Sequence, residues 1–214
     1  MNSFGKSIAF HFTDSPARGR RAAIFLDRDG VINKRIVGGY VTSWREFQFL
    51  DESIPMLREL GRFRLPMIVV SNQAGVGKGL MSRADLAHIT ERFVLRLARA
   101  GARIAAVYYC PHTADAGCRC RKPRPGLLLQ AARDWGLDLN RSILIGDSPS
   151  DIKAAQAAGC RGILLDPQDE ASASCQPEKG RPPSSCVAAV RRLLDVPASA
   201  AALLGTYRSV AAAI

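Results

Sequence analysis

The chain has 214 residues, 47% of them hydrophobic and 23% charged, which is the composition of a globular domain with a sizeable core. Its formal charge of +11 favours an anionic ligand, but Lys and Arg are scattered in runs no longer than two, so no basic stripe is laid out to track a nucleic-acid strand. No window reaches the eighteen apolar residues of a membrane span, and Met1–Arg21, with a short apolar stretch broken by His11, does not read as a secretory leader.

Taken in order, the chain first turns strongly apolar at Ala22–Leu26, a run suited to a strand buried on both faces. It stops at Asp27, and Asp29 and Gly30 follow. Two acids at one strand tip repel unless a cation or a shared proton relieves them, so this pair points to a hard divalent metal such as Mg2+. A calcium loop is excluded, because the positions that would need Gly and Glu hold Ile32 and Gly38; a solvated turn is the plainer alternative. Lys34–Asp51 reads as loop. Ser53–Gly61 reads as a helix with Ser53 as its cap and Pro55 in its first turn. Leu65–Val70 is a second buried strand leading into Ser71-Asn72-Gln73-Ala74-Gly75, where a hydroxyl and exposed backbone N–H groups suit a phosphate. The following Gly75–Gly79 is not a P-loop, since Asn72 and Gly79 stand where Gly and Ser/Thr are required. Ser71 alone could equally be a cap.

Ser82-x-x-Asp85 opens a capping box, and Leu86, Ile89, Phe93, Val94 and Leu97 then recur at helical spacing, as core. Ala105–Tyr109, Arg141–Gly146 and Gly162–Leu165 are three more strands, with a helix starting near Ser148. Strands alternating with helices predict an α/β domain: a doubly wound, Rossmann-like parallel sheet with helices on both faces. Gln168–Ser185 is rich in Ser and Pro and reads as loop. Val187–Leu194 resumes helical spacing, and the Ala-rich segment from Pro197 to Ile214 reads as a packed or frayed terminal helix.

Two further stretches carry chemistry. Cys110, His112, Cys118 and Cys120 supply three thiols and an imidazole within eleven residues, the donor set of a closed, structural Zn2+ site. Buried thiols with an incidental histidine are the alternative. This clustering, without a leader, suggests a reducing compartment and a cytoplasmic protein. Arg121-Lys122-Pro123-Arg124 follows at once, a stiffened basic segment able to stabilise a phosphoryl group, or else a surface turn ahead of a helix. In Ile143–Asp151, Asp147 ends a buried strand as Asp27 does, making it the third metal candidate. Asp151 reads mainly as the far end of a Ser148-x-x-Asp151 capping box with Pro149 at the first helical position.

Asp27-x-Asp29-Gly30-Val31, Ser71, Lys122 and Asp147 come in the order of the haloacid dehalogenase-like phosphatases, and the resemblance runs from about Ile24 to Leu165. FLDRDGVIN, SNQAGVGKG, YYCPH with C-x-CRKPRPG, and IGDSPSDI are similar to the histidinol-phosphate and heptose bisphosphate phosphatases, a zinc-loop family with little or no cap domain. The resemblance implies a phosphatase domain over 22–196, with its zinc loop at 110–120, between an extension at 1–21 and a tail at 197–214. It implies catalysis through an aspartyl-phosphate, with Asp27 as nucleophile, Asp29 as acid and base, and Ser71 and Lys122 holding the transferring group. Mg2+ would lie on Asp27, Asp29 (through its carbonyl) and Asp147, and Zn2+ on the Cys/His set. The implied substrate is D-glycero-D-manno-heptose 1,7-bisphosphate losing its C7 phosphate, met by Arg35, Tyr40, Asn72, Gln73 and Arg121; Arg121 and Arg124 are the candidates to hold a second phosphate, and Lys34, Arg35 and Tyr40 could line the opposite side. Histidinol phosphate, a nucleic-acid 3′-phosphate and a non-catalytic phosphate-binding module are the competing readings. Histidinol phosphate would want an acid, for which Asp51 and Glu52 are nearest. A small phosphorylated sugar as partner, no membrane, and a monomer complete the expectation.

Overall fold

The computed structural model describes residues 7–13, 21–165 and 187–211. The stretch read as a Ser/Pro-rich loop lies outside them, as do parts of both terminal segments.

Seven strands form one sheet: β1 Ile8–His11, β2 Ile24–Leu26, β3 Met67–Asn72, β4 Ala106–Cys110, β5 Ile143–Gly146, β6 Arg161–Leu165 and β7 Val187–Val190. Their order is β1-β4-β3-β2-β5-β6-β7, all parallel except β1, which pairs antiparallel with β4. The helices are α1 Ser53–Gly61, α2 Ala74–Gly77, α3 Arg83–Arg99, α4 Gly126–Trp135, α5 Pro149–Ala158 and α6 Val196–Ala211. Side chains alternate across each strand, so the sheet divides the apolar residues into two cores. Ile24 and Leu26 pack with α1, α3 and α6 through Met56, Leu60, Phe93 and Leu203, while Phe25 and Leu144 pack with α4 and α5 through Leu127, Trp135 and Ala155. This is the doubly wound α/β fold expected, and no helical cap domain is inserted among the described residues.

Strand order reverses between β2 and β5, the place where open α/β sheets bind ligands beyond the carboxyl ends of their strands. Leu26 pairs with Ile145, and the Asp27 N–H donates to the Ile145 carbonyl at 2.8 Å, so Asp27 and Asp147 leave the sheet side by side.

Three expectations change. Val187–Val190 is a strand rather than part of a helix, because it completes a parallel ladder with β6; the chain then turns through a 3-10 segment, Leu193–Asp195, into α6. Ser53 is not the cap of α1. Glu52 holds that position without a side-chain cap, and the Ser53 hydroxyl is buried, donating to the Leu50 carbonyl at 2.7 Å. Ile8–His11, in the segment read as an extension, is the edge strand, with Phe10 packed edge-on to Tyr109. The segment read as a tail places Ala200 and Leu203 in the core beside α1. Both capping boxes, Ser82 with Asp85 and Ser148 with Asp151, form as expected.

Candidate active site

The carboxyl ends of β2, β3 and β5 open onto a cleft of about 420 Å³ lined by Asp27, Asp29, Ser71, Asn72, Lys122 and, on its rim, Arg35, Tyr40, Lys78 and Arg121. At its floor the carboxylates of Asp27, Asp147 and Asp151 lie within 4.8 Å of one another. A cluster this acidic survives burial only with cations to balance it. The buried Lys122 supplies one, reaching Asp27 at 2.9 Å and Asp151 at 2.5 Å, with a third bond to the Val70 carbonyl at 2.9 Å. Burial opposes the charge of Lys122, but the two carboxylates outweigh it and hold the amine protonated beyond the ordinary lysine value. Arg35 reaches Asp147 at 3.1 Å from across the cleft. The residual strain falls on the acids. Burial, reinforced by Asp27, pushes Asp147 up to about 7, and burial raises Asp151 to about 6.

These features fit a divalent cation. Three carboxylates converge with too little positive charge, and Asp147 and Asp151 hold protons tightly where a metal would compete for the same oxygens. The Asp29 carbonyl accepts no hydrogen bond among the described residues, which leaves it available as the expected oxygen ligand. Gly30 keeps the approach open: its φ is +85°, and a Cβ there would fall 1.8 Å from Asp147 Oδ2.

The Asp29 side chain turns away from this cluster and is held by donors on both oxygens. Arg28 Nη2 lies 3.0 and 3.1 Å from its two oxygens, Asn33 Nδ2 donates at 2.8 Å and Gln73 Nε2 at 2.7 Å. Burial works against the charged form, but Arg28 and these amides keep Asp29 below the usual carboxylate range. Arg28 is fully buried, its guanidinium 6.0 and 5.9 Å from the Phe47 and Tyr109 ring centroids.

Gln73 also donates to the Ser71 hydroxyl at 3.2 Å and does not line the cleft; its amide bridges Asp29 and Ser71. Asn72 lines the cleft, but its side chain clamps Lys122, Nδ2 to the Lys122 carbonyl at 3.1 Å and Oδ1 from its N–H at 3.0 Å. The Tyr40 ring lies beneath the Lys78 ammonium. Arg124 is turned into the Cys/His loop, donating to the Cys118 carbonyl, and neither it nor Lys34 lines the cleft. Asp51 and Glu52 do not line it either, Glu52 pairing with Arg192 at 3.0 Å. The sequence reading missed Lys78 and the second role of Asp151.

Beside Lys122, the four thiol and imidazole groups come together: Cys110 Sγ lies 3.5 Å from Cys118 Sγ and 3.4 Å from His112 Nδ1, and Cys120 Sγ lies 3.2 Å from His112 Nδ1 and 3.6 Å from Cys118 Sγ. A zinc tetrahedron with bonds of about 2.3 Å has edges of about 3.8 Å, so the donors already stand at zinc-ligand separations. The hydrogen bond from Cys120 draws the Cys110 thiol down to about 5, and the same contact raises Cys120, so the cluster readily carries its first thiolate.

Comparisons with known proteins agree with this geometry. A model of the HAD-hydrolase-like family matches residues 119–192. A D-glycero-alpha-D-manno-heptose-1,7-bisphosphate 7-phosphatase of Mycobacterium tuberculosis is 41% identical over 160 residues, 69% of this chain and 80% of the relative. The chain belongs to the haloacid dehalogenase-like phosphatases. A second relative of this phosphatase, a D-glycero-beta-D-manno-heptose-1,7-bisphosphate 7-phosphatase of Pasteurella multocida, is 38% identical over 151 residues, 68% of this chain and 81% of that one. The crystal structure of D,D-heptose 1,7-bisphosphate phosphatase from B. bronchiseptica, complexed with magnesium and phosphate, matches the phosphatase with a TM-score of 0.71 at 30% identity, covering 83% of this chain and 96% of that one. Among the described residues of the phosphatase no helix is long and apolar enough to cross a membrane.

Proposed function

We propose that this phosphatase removes the C7 phosphate of D-glycero-D-manno-heptose 1,7-bisphosphate through an aspartyl-phosphate on Asp27. The charge inventory of the cleft carries the reading. Its lining cations are Arg35, Lys78, Arg121 and Lys122; the lining carboxylates Asp27 and Asp29, with Asp147 and Asp151 at the floor, match them in number, so a bound Mg2+ would leave the cleft with net positive charge. A sugar with two phosphates suits that balance, whereas the ammonium of histidinol phosphate would meet a basic rim that neither Asp51 nor Glu52 lines. No row of exposed aromatic side chains lines the cleft to stack a nucleic-acid 3′ end.

In the first half-reaction an Asp27 carboxylate oxygen attacks phosphorus, the bond from phosphorus to the C7 oxygen breaks, and Asp29 delivers a proton to that oxygen. In the second, Asp29 takes a proton from the water that attacks the aspartyl-phosphate, releasing inorganic phosphate and restoring Asp27. The donors around Asp29 favour its ionised form, as the second half needs; a phosphate bound beside it adds negative charge and favours the protonated form for the first. Ser71, which accepts from Gln73, keeps its own proton to donate to a phosphoryl oxygen, and Lys122 balances charge on the same group. Asp27, the Asp29 carbonyl and Asp147, with Asp151 adjacent, would hold Mg2+, which supplies neutralisation between the nucleophilic carboxylate and the phosphate. The Cys/His set would hold Zn2+ and shape the segment bearing Arg121 and Lys122. Cytoplasmic placement is supported by Cys110, Cys118, Cys120 and Cys160, which are free thiols among the described residues.

The test compares kcat/KM for the heptose bisphosphate, histidinol phosphate and a 3′-phosphorylated oligonucleotide, with Mg2+, for wild type and Asp27→Asn. The heptose bisphosphate should lead and Asp27→Asn should be inactive. A competitor ahead by tenfold, about 1.4 kcal/mol in transition-state binding, overturns the substrate, and undiminished Asp27→Asn turnover overturns the mechanism.

A further inference from the structure

Among the described residues, four of the six buried side-chain nitrogen and oxygen atoms that meet no hydrogen-bond partner belong to three side chains around Asp29: Arg28 Nε and Nη1, Asn33 Oδ1 and Gln73 Oε1. Each such atom costs folding free energy, because water bonded it in the unfolded chain. All three side chains direct a donor at the Asp29 carboxylate. Arg28 carries the largest cost, a wholly buried guanidinium with two unpaired nitrogens. Its placement is also rigid. Phe47, over which the guanidinium lies, stacks on Phe93 at 5.5 Å and on Trp44 at 5.2 Å. The Tyr109 hydroxyl lies 3.0 Å from Thr90 Oγ1, whose own proton goes to the Leu86 carbonyl, so Tyr109 donates there and its ring is tied to α3. The main chain of Arg28 is engaged as well, its N–H donating to Asp27 Oδ1 at 2.7 Å. Orphaned donors and acceptors gathered at one carboxylate mark a place where folding stability yields to function.

We propose that Arg28 is the positioning residue for proton transfer: its Nη2, bridging both Asp29 oxygens, fixes the carboxylate in the orientation from which it protonates the leaving oxygen. The inference rests on the aspartyl-phosphate reading above. Asn33 and Gln73 each hold one oxygen, through an amide whose own oxygen is unpaired, whereas Arg28 holds both from a braced platform. A carboxylate displaced by about 1 Å still balances charge but no longer meets the oxygen it must protonate. The loss of Arg28 is therefore felt where a leaving group needs the proton and not where it does not.

The experiment compares the heptose bisphosphate, whose C7 alkoxide leaves only with a proton, with p-nitrophenyl phosphate, whose phenolate leaves without one. Single turnovers with enzyme in excess and Mg2+ present report the first half-reaction alone, as the rate of heptose 1-phosphate or p-nitrophenolate release. Arg28→Met should slow the heptose substrate about 10- to 100-fold and p-nitrophenolate release by no more than about threefold. Arg28→Lys keeps the buried cation, which covers the case of Arg28→Met failing to fold, and should change the ratio between the two substrates in the same direction by about fivefold or more. A merely structural role would move both substrates together, so a folded Arg28 variant that slows the two equally, or slows neither, overturns the positioning role. Asp29→Asn tests the reading beneath it and should show the split at full size, about 100-fold or more. If it does not, the acid role of Asp29 falls and takes Arg28 with it; if it does while the Arg28 variants do not, Arg28 alone falls.

Discussion

Replacing Lys122 by Met keeps much of the buried stem and removes the ammonium that joins two carboxylates. Asp27 and Asp151 are 6% and 0% exposed, so water cannot take over from the lost charge. At about 4 Å and an effective dielectric near 20 each attraction is worth about 4 kcal/mol, and both contacts here are shorter. Recovering the desolvation cost of the lysine offsets part of that, and breaking a buried pair by removing one partner costs a net of about 3–5 kcal/mol. Asp151, raised to about 6 by burial, escapes part of the penalty by binding a proton, so the full effect belongs near pH 8. Urea unfolding of Lys122→Met in magnesium-free buffer, without chelator so that the thiol cluster is undisturbed, should show a loss of about 3 kcal/mol. Magnesium should narrow the gap, because the variant cluster is one charge more negative and binds the ion more tightly; a tenfold tighter site recovers about 1.4 kcal/mol under saturation. A variant within about 0.5 kcal/mol of wild type without magnesium, or a gap that magnesium leaves unchanged, would refute the account of the carboxylate cluster.

The raised acids also set a pH dependence. A carboxyl whose folded pKa exceeds its unfolded value costs no stability below the unfolded value, near 3.8, and costs progressively more as pH rises towards the folded value, here about 7 for Asp147. Magnesium-free Asp147→Asn should therefore match wild type near pH 4 and be more stable than it at pH 8, by denaturant melts; equal pH slopes for the two proteins would contradict the cluster electrostatics. At the other site, elemental analysis of protein purified without chelator should find about one zinc per chain. Cys118→Ser should lower zinc content and cost more than about 3 kcal/mol, in the range reached by metal losses; zinc-free protein of unchanged stability would remove the metal from the Cys/His loop.

The strand ends were readable because their chemistry contradicts their surroundings: an apolar run that stops at Asp27 or Asp147 has no packing reason to do so. The supporting layer was less visible. Arg28 stands between two acids and looks like a solvated residue, yet the fold buries it under Phe47 and Tyr109, bound to Asp29. Asp151 is the capping residue its spacing announces and also a partner of Lys122, a contact that only the packing of α5 beside β5 creates. Asn72 and Gln73 follow Ser71 at the strand end, and the bonds of their side-chain amides to Lys122 and Asp29 are set by packing that the sequence does not display. Val187–Val190 has four small or branched residues compatible with either periodicity, and pairing with β6 decides the outcome. Ile8–His11 is too short to announce itself, and it becomes a strand because β4 offers it an open edge.

That edge strand has a consequence for synthesis. Ile8 pairs with Tyr109 and His11 with Ala106, so β1, made first among the described strands, waits for one made much later. At about 5–20 residues per second a ribosome needs roughly 5–20 s to extend the chain across that interval of about a hundred residues. Through those seconds Ile8 and Phe10 have no native partner. Once β4 emerges, the same strand brings out Cys110 at its end, so closure of the sheet edge and assembly of the thiol cluster fall in the same moment of translation.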